Sequence, residues 1–322
     1  MLNSPRHSVA YAQNFLHSPR LVDHLLDRSS IGPDDRVLEI GPGKGIITAA
    51  LARRCREVLA VEKDPDLAHL LRARFALSPA VTIREEDFLG TRLPLPPYKV
   101  FANVPFNCTA EIIRRLTETR HPPDDIYLAV QQEAAERFLG RPRESLRSVL
   151  LKPWFEPSLA YRFRQADFVP APQVEVVMLR LRKRGPPLIQ ASRAQLYRDL
   201  VIHLFTAWKP SLCAALTGIL SHRQIATLDQ RLGLALDRPP TALPFEQWLA
   251  LFAYIDGVAP QRARQCVRGS EERLSGQQAR LHKAHRTRQR SPRLSPDRTP
   301  LTGSASGLHG VRSAGGAAPR RC

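Results

Sequence analysis

The sequence predicts a doubly wound α/β sheet followed by a small helical domain, and three observations predict it. Between residues 36 and 131, short apolar runs alternate with amphipathic stretches, the pattern of a parallel sheet joined by crossover helices. A glycine-rich turn, Gly41-Pro42-Gly43-Lys44-Gly45, follows the first apolar run, Val37-Leu38-Glu39-Ile40, and leads into Ile46-Ile47-Thr48. Beyond Ser192 the period becomes helical, with Leu196, Leu200, Val201, Leu204 and Phe205 recurring on one face.

The apolar runs place strands at 37–40, 58–61, 81–84, 100–103 and 126–130, with helices at 46–54, 65–75 and 109–119 between them. A later run over 174–181 is expected to add a strand at an edge of the same sheet. The helical region continues through Phe245, Trp248, Leu249, Leu251 and Phe252, punctuated by Pro239-Pro240 and Pro244, and joins the sheet near 183–191. The expected organisation is an α/β domain over 1–185, a helical domain over 186–257 and a basic tail over 258–322. The tail has no aromatic residue and is rich in Arg, Ser, Gly, Pro and Gln. It is expected to be disordered, because it has little apolar surface to offset its ordering entropy.

The net charge is +18, from 48 Lys and Arg against 30 Asp and Glu. Residues 258–322 carry 14 of the basic and 3 of the acidic side chains, so residues 1–257 are basic without the tail. A polyanionic partner is expected, and nucleic acid is the commonest one. The five cysteines, Cys55, Cys108, Cys213, Cys266 and Cys322, show no CxxC spacing, which fits isolated thiols in a reducing compartment. The histidines show no metal-ligand spacing, so no metal is expected. No apolar run is long enough to span a bilayer, and the first residues lack the apolar core of a secretion signal. A cytoplasmic monomer without a membrane partner is the expectation.

Five short motifs carry the chemistry. Glycines at 41, 43 and 45 let a ligand approach the backbone closely at a strand-to-helix turn. Glu62 ends the second strand, where a carboxylate in such a sheet accepts from both ribose hydroxyls of a nucleoside cofactor. Asp87-Phe88 ends the third strand, with Asp87 placed to accept from an adenine amino group and Phe88 to lie against the ring. Asn103-Val104-Pro105-Phe106 ends the fourth. There the Asn103 side-chain oxygen and a backbone carbonyl at Val104 or Pro105 can accept the two hydrogens of an exocyclic amine, and Phe106 can stack on the base. That geometry would favour attack by a poorly nucleophilic nitrogen on a methyl group, chiefly through positioning and electrostatics. Upstream, Gln13-Asn14-Phe15-Leu16 reads as a lid, with Asn14 and the Leu16 backbone closing over a cofactor and Phe15 anchoring it. Each motif has an ordinary structural reading when taken alone; their order gives them weight.

In that order the motifs resemble the rRNA adenine N6-methyltransferases, a family that contains the Erm macrolide-resistance methylases and the small-subunit rRNA dimethyladenosine transferases. The resemblance covers residues 11–256 and implies a Rossmann-like sheet with S-adenosylmethionine as cofactor. It implies that Asn14, Leu16, Gly41, Glu62, Asp87 and Asn103 line the cofactor site, with Gly43 and Phe88 beside them, and that Phe106 stacks on the target adenine. Lys44, the stretch from Val130 to Phe138, and the stretches from Trp154 to Glu156 and Asp167 to Val174 are similar to the Erm branch. That branch implies methylation of one 23S rRNA adenine at the peptide-exit region and resistance to macrolides, lincosamides and streptogramin B. The dimethyladenosine transferases usually carry Asn-Leu-Pro-Tyr-Asn; here Val104 and Phe106 replace Leu and Tyr, while Asn107 follows that other branch. A 16S rRNA dimethyladenosine transferase is therefore the alternative. A noncatalytic RNA-binding protein on the same scaffold is the reading of another class. Arg114, Arg115, Arg137, Arg141 and Arg143 are candidates for phosphate contacts.

Overall fold

A computed structural model describes residues 14–280. It begins with the two-residue strand β1 (Phe15–Leu16) and helix α1 (Pro19–Asp27), capped by the Ser18 hydroxyl. Then follow β2 (Arg36–Ile40), α2 (Ile46–Ala52), β3 (Glu57–Glu62), α3 (Pro65–Arg74), β4 (Val81–Glu85), β5 (Lys99–Asn103), α4 (Thr109–Thr117) and β6 (Asp125–Gln131). Two helices, α5 (Gln132–Leu139) and α6 (Leu146–Leu151), precede β7 (Phe155–Arg162), β8 (Phe168–Val169) and β9 (Val176–Lys183).

Seven strands form one sheet in the order β4-β3-β2-β5-β6-β9-β7. The first five are parallel, and β9 runs antiparallel to both of its neighbours. The central strands are apolar on both sides because helices cover both faces of a parallel sheet. Leu38, Val61, Val100 and Leu128 pack with α4 and α5 on one face. Val37, Val58, Phe101 and Tyr127 pack with α1 and α2 on the other. Alternation along the strands puts Glu39, Glu62 and Asn103 on this second face. The strand order reverses between β2 and β5, which is where open α/β sheets form their ligand crevice.

The strand over 174–181 is second from the edge, not at it. The edge is β7, paired with β9 from Phe155 opposite Lys183 to Arg162 opposite Val177, with a one-residue shift between Leu159 and Tyr161. Pro157 inside β7 hides it from a strand pattern, since proline survives only where a ladder hydrogen bond is dispensable, as at an edge.

The helical region contains α7 (Ala194–Thr206), α8 (Leu212–Leu216), α9 (His222–Leu232) and α10 (Phe245–Val258) around Tyr197, Leu200, Leu216, Trp248 and Phe252. Val149 of α6 belongs to this core, and its carbonyl accepts from the buried Tyr197 hydroxyl at 2.8 Å. The disordered reading of 258–322 is corrected over its first part. Residues 260–280 form α11 (Pro260–Val267) and α12 (Ser270–Arg280). Ala263 and Val267 are fully buried, and Arg198 of α7 bridges Glu271 and Glu118 of the α4 end. The remainder of that tail lies outside the described residues, as does Gln13. Among the described residues, no helix is long and apolar enough to cross a membrane.

Candidate active site

The crevice at the strand-order reversal is built from three chain segments. From β2 comes the glycine turn, with Gly41, Gly43 and Gly45 at φ values of 63, 58 and 78°. From β5 comes Asn103-Val104-Pro105-Phe106, running into a short 3-10 turn over Phe106–Cys108 ahead of α4. Over both lies β1, held by antiparallel pairing of Phe15 with Val169 and Leu16 with Phe168. Asn14, Phe15, Gly41, Asn103, Val104, Pro105 and Phe106 line one pocket.

Within it, the Asn103 side-chain nitrogen donates to the Asn14 carbonyl at 2.6 Å. A carbonyl only accepts, so this bond fixes the amide orientation and leaves Oδ1 as the free acceptor. Leu16 itself is buried in the core below. The Phe15 ring lies against the glycine turn: a Cβ on Gly43 would meet Phe15 Cε1 at 2.5 Å. Gly41 differs, since a Cβ there would meet nothing within 4 Å. That open space in front of backbone in a left-handed conformation is a cradle for a close-packed ligand.

Glu62 is 2 % exposed, and both its oxygens are engaged. Oε2 accepts from the Gly43 amide at 3.0 Å and Oε1 from the Asp64 amide at 2.9 Å. Each carboxylate oxygen keeps a second lone pair, so Glu62 braces the glycine turn and retains capacity for ribose hydroxyls. Asp87 is half-exposed and paired with Lys63 at 2.7 Å. The Lys63 hydrogen bond and then the Leu89 amide hold its carboxyl below the usual range. Phe88 is placed differently from the expectation. It is buried in the core with the Arg115 guanidinium over its face at 5.9 Å, so its ring is not turned to a ligand.

The candidate phosphate contacts divide. Arg115 donates to the Thr91 carbonyl beside Phe88 and is committed to structure. Arg114 and Arg137 are exposed and sit beside Glu118 and Glu133 on their own helices, while Arg141 and Arg143 are exposed on the loop after α5.

One buried carboxyl group beside the glycine turn lies outside the sequence-based expectations. Glu39 of β2 is 1 % exposed, accepts from the Thr48 hydroxyl at 2.7 Å through Oε2, and has no partner for Oε1. Burial, with the Glu62 charge adding to it against the Thr48 bond, pushes its carboxyl up to about 8. The signal was present: a charged residue inside a strand covered on both faces is costly and calls for a reason. The raised value makes folding take up a proton between about 4.5 and about 8. Stability from this group is therefore full at the acid end and lost as pH rises through 8. Glu39→Gln is expected to remove that slope, gaining on the order of 5 kcal/mol relative to the parent from acid to alkaline pH. Denaturant unfolding of both proteins across that range checks it, and parallel curves would contradict it.

The residues fit a nucleoside cofactor: an open glycine cradle at Gly41 lines the crevice, and the Glu62 carboxylate that braces the glycine turn keeps spare lone pairs. Among the described residues, no cluster of His, Cys, Asp and Glu is placed to hold a metal ion.

Comparison with known proteins agrees with this arrangement. The model of a family described as ribosomal RNA adenine dimethylase matches residues 6–257. An rRNA adenine N-6-methyltransferase of Saccharopolyspora erythraea is 28% identical over 80% of this chain and 70% of its own length. A ribosomal RNA small subunit methyltransferase A of a Synechococcus strain is 34% identical over 79% of this chain and 94% of its own. The solved structure of the 23S rRNA methyltransferase ErmE superposes with a TM-score of 0.70 at 29% identity, covering 76% of this chain and all of that one.

Proposed function

The chain belongs to the ribosomal RNA adenine dimethylase family, and from that premise we propose that it methylates N6 of one adenine in 23S rRNA at the peptide-exit region, conferring resistance to macrolides, lincosamides and streptogramin B. It is an rRNA adenine N6-methyltransferase that uses S-adenosylmethionine. The observation that carries the proposed site assignment is the Asn103–Asn14 hydrogen bond, which leaves an acceptor free at the strand-order reversal beside the glycine turn.

Bound in the crevice, S-adenosylmethionine supplies an electrophilic methyl group. Asn14, Leu16, Gly41, Gly43, Glu62 and Asp87 would hold it, with Gly41 giving close backbone approach and Glu62 accepting from the ribose. Asn103 Oδ1 accepts one hydrogen of the target amine. A carbonyl at Val104 or Pro105 accepts the other; the Pro105 carbonyl already takes the Cys108 amide at 3.2 Å. The two acceptors draw the nitrogen from the ring plane, so its lone pair becomes available. Phe106 holds the base by stacking, after the base has left its helix, as base-modifying enzymes require. The extra amine proton becomes acidic on transfer and leaves to solvent, so no strong base is needed. The protein acts as a monomer in the cytoplasm, where ribosomes are.

The 23S reading is supported by the likeness to ErmE and by the Erm-like Lys44 and Phe106. The Synechococcus relative and Asn107 favour a second reading, 16S rRNA as substrate. Incubation with tritiated S-adenosylmethionine and each rRNA separately, with primer extension to map the label, decides between them. Label at one 23S adenine and macrolide resistance on expression are expected. Label confined to adenines near the 16S 3′ end would overturn the 23S assignment.

A further inference from the structure

Trp208, directly after α7, is 97 % exposed. The two other tryptophans, Trp154 and Trp248, are half-buried and buried. Trp208 is also the one non-glycine residue among those described with positive φ, at 52°. A bulky side chain is disfavoured in that left-handed region, and glycine is the usual occupant. The position therefore carries the residue worst suited to its backbone, with its largest apolar surface in water.

The surrounding loop is firmly held. The Leu212 amide donates to the Arg238 carbonyl at 2.9 Å and the Cys213 amide to the Leu236 carbonyl at 2.7 Å, joining two loops of the helical region. Ser211 caps α8 by accepting from the Ala214 amide. Lys209 and Arg238 are exposed on these joined loops, and neither has an ion-pair partner among the described residues. Arg198 of α7 touches Glu118 of the α/β region at 3.3 Å, and Trp208 lies roughly 15 Å further along the helix axis. It is not among the residues that line the crevice.

We propose that Trp208 is a stacking platform for an unpaired base of the substrate RNA, remote from the adenine that reacts, with Lys209 and Arg238 on the adjoining phosphates. A π-face flanked by cations is the arrangement that single-stranded nucleic acid selects, since stacking accepts any base and the cations follow the backbone. The inference rests on the rRNA-substrate reading and deepens it, assigning the helical region a contact that strengthens binding without touching chemistry.

The test compares Trp208→Gly and Trp208→Phe in methyl transfer to whichever rRNA accepts label. Trp208→Gly is expected to raise KM for RNA about tenfold with kcat unchanged. Its melting midpoint should hold or rise, because glycine relieves the left-handed backbone. Trp208→Phe should keep most of the affinity. In parallel, a single-stranded RNA oligonucleotide should quench the fluorescence of the parent protein, and Trp208→Phe should abolish that quenching. An unchanged KM in Trp208→Gly would overturn the proposal. So would a lowered melting midpoint with a fall in kcat, which marks a structural residue. A dimer of the parent protein dissolved by Trp208→Gly in sedimentation would give the surface to a second copy instead. Failure of the parent to label any rRNA would count against the catalytic reading, while the quenching experiment would still judge the stacking.

Discussion

Asn103→Ala is expected to lower methyl transfer roughly a thousandfold while cofactor affinity changes only severalfold. The large effect follows from what the side chain does. It presents one acceptor to a developing positive nitrogen, and that charge exists only as the methyl group moves. Asn103→Asp is expected to be no better than alanine, although it keeps the shape and an acceptor. The Asn14 carbonyl, 2.6 Å from the amide nitrogen, would then face a carboxylate oxygen, two acceptors with no hydrogen between them. The aspartate must take up a proton or push β1 aside. Single-turnover transfer with labelled cofactor and calorimetric binding of the same cofactor separate the two quantities. Near-normal turnover in either variant would remove Asn103 from its proposed role.

Gly43→Ala is expected to lower kcat/KM roughly a hundredfold and the melting midpoint by roughly 5 °C. The backbone contribution comes from φ of 58°, where alanine loses about 1–2 kcal/mol. The larger part comes from the methyl group meeting the Phe15 ring. Displacing Phe15 moves β1 and with it the Asn14 carbonyl that orients Asn103. Phe15→Ala should therefore return part of the activity lost in Gly43→Ala, while harming the parent on its own. Such coupling is what a double-mutant cycle measures. Additive losses would mean that the glycine turn and β1 act independently.

The four inner parallel strands were legible because burial on both faces forces apolar runs, and 37–40 and 100–103 each fall within one residue of the observed strand; the edge strand β4 showed instead by its alternation of Val81 and Ile83 with polar residues. The order of strand-end motifs carried the site, since Gly41 and Asn103 end the two strands that flank the reversal. What stayed hidden had physical reasons. Residues 155–162 mix Pro157 and Glu156 into a strand that needs to satisfy a neighbour on one side only. The burial of Phe88 depends on Arg115 arriving from α4, a contact set by tertiary packing. The Asn14 carbonyl is a backbone group, so no side-chain motif announces it. Glu39, in the strand just before the glycine turn, carried a signal as a charge in an apolar run, but its partner Thr48 is known only once α2 packs over it.

The last two helices carry the folded interior past residue 257. The stretch shared with the family closes at residue 257, yet Ala263 and Val267 fill the same core as Trp248 and Leu251, and Ser270 is buried beside them. Glu271 supplies one of the two carboxylates that flank Arg198, and its amide donates to Asp199 at 2.9 Å. A truncation at the shared boundary would uncover apolar surface and strip α7 of half its counter-charge. Residues past that boundary are thus a piece of this protein's own interior. A chain ending at residue 257 is therefore expected to melt below one ending at residue 280, which a thermal unfolding comparison of the two checks.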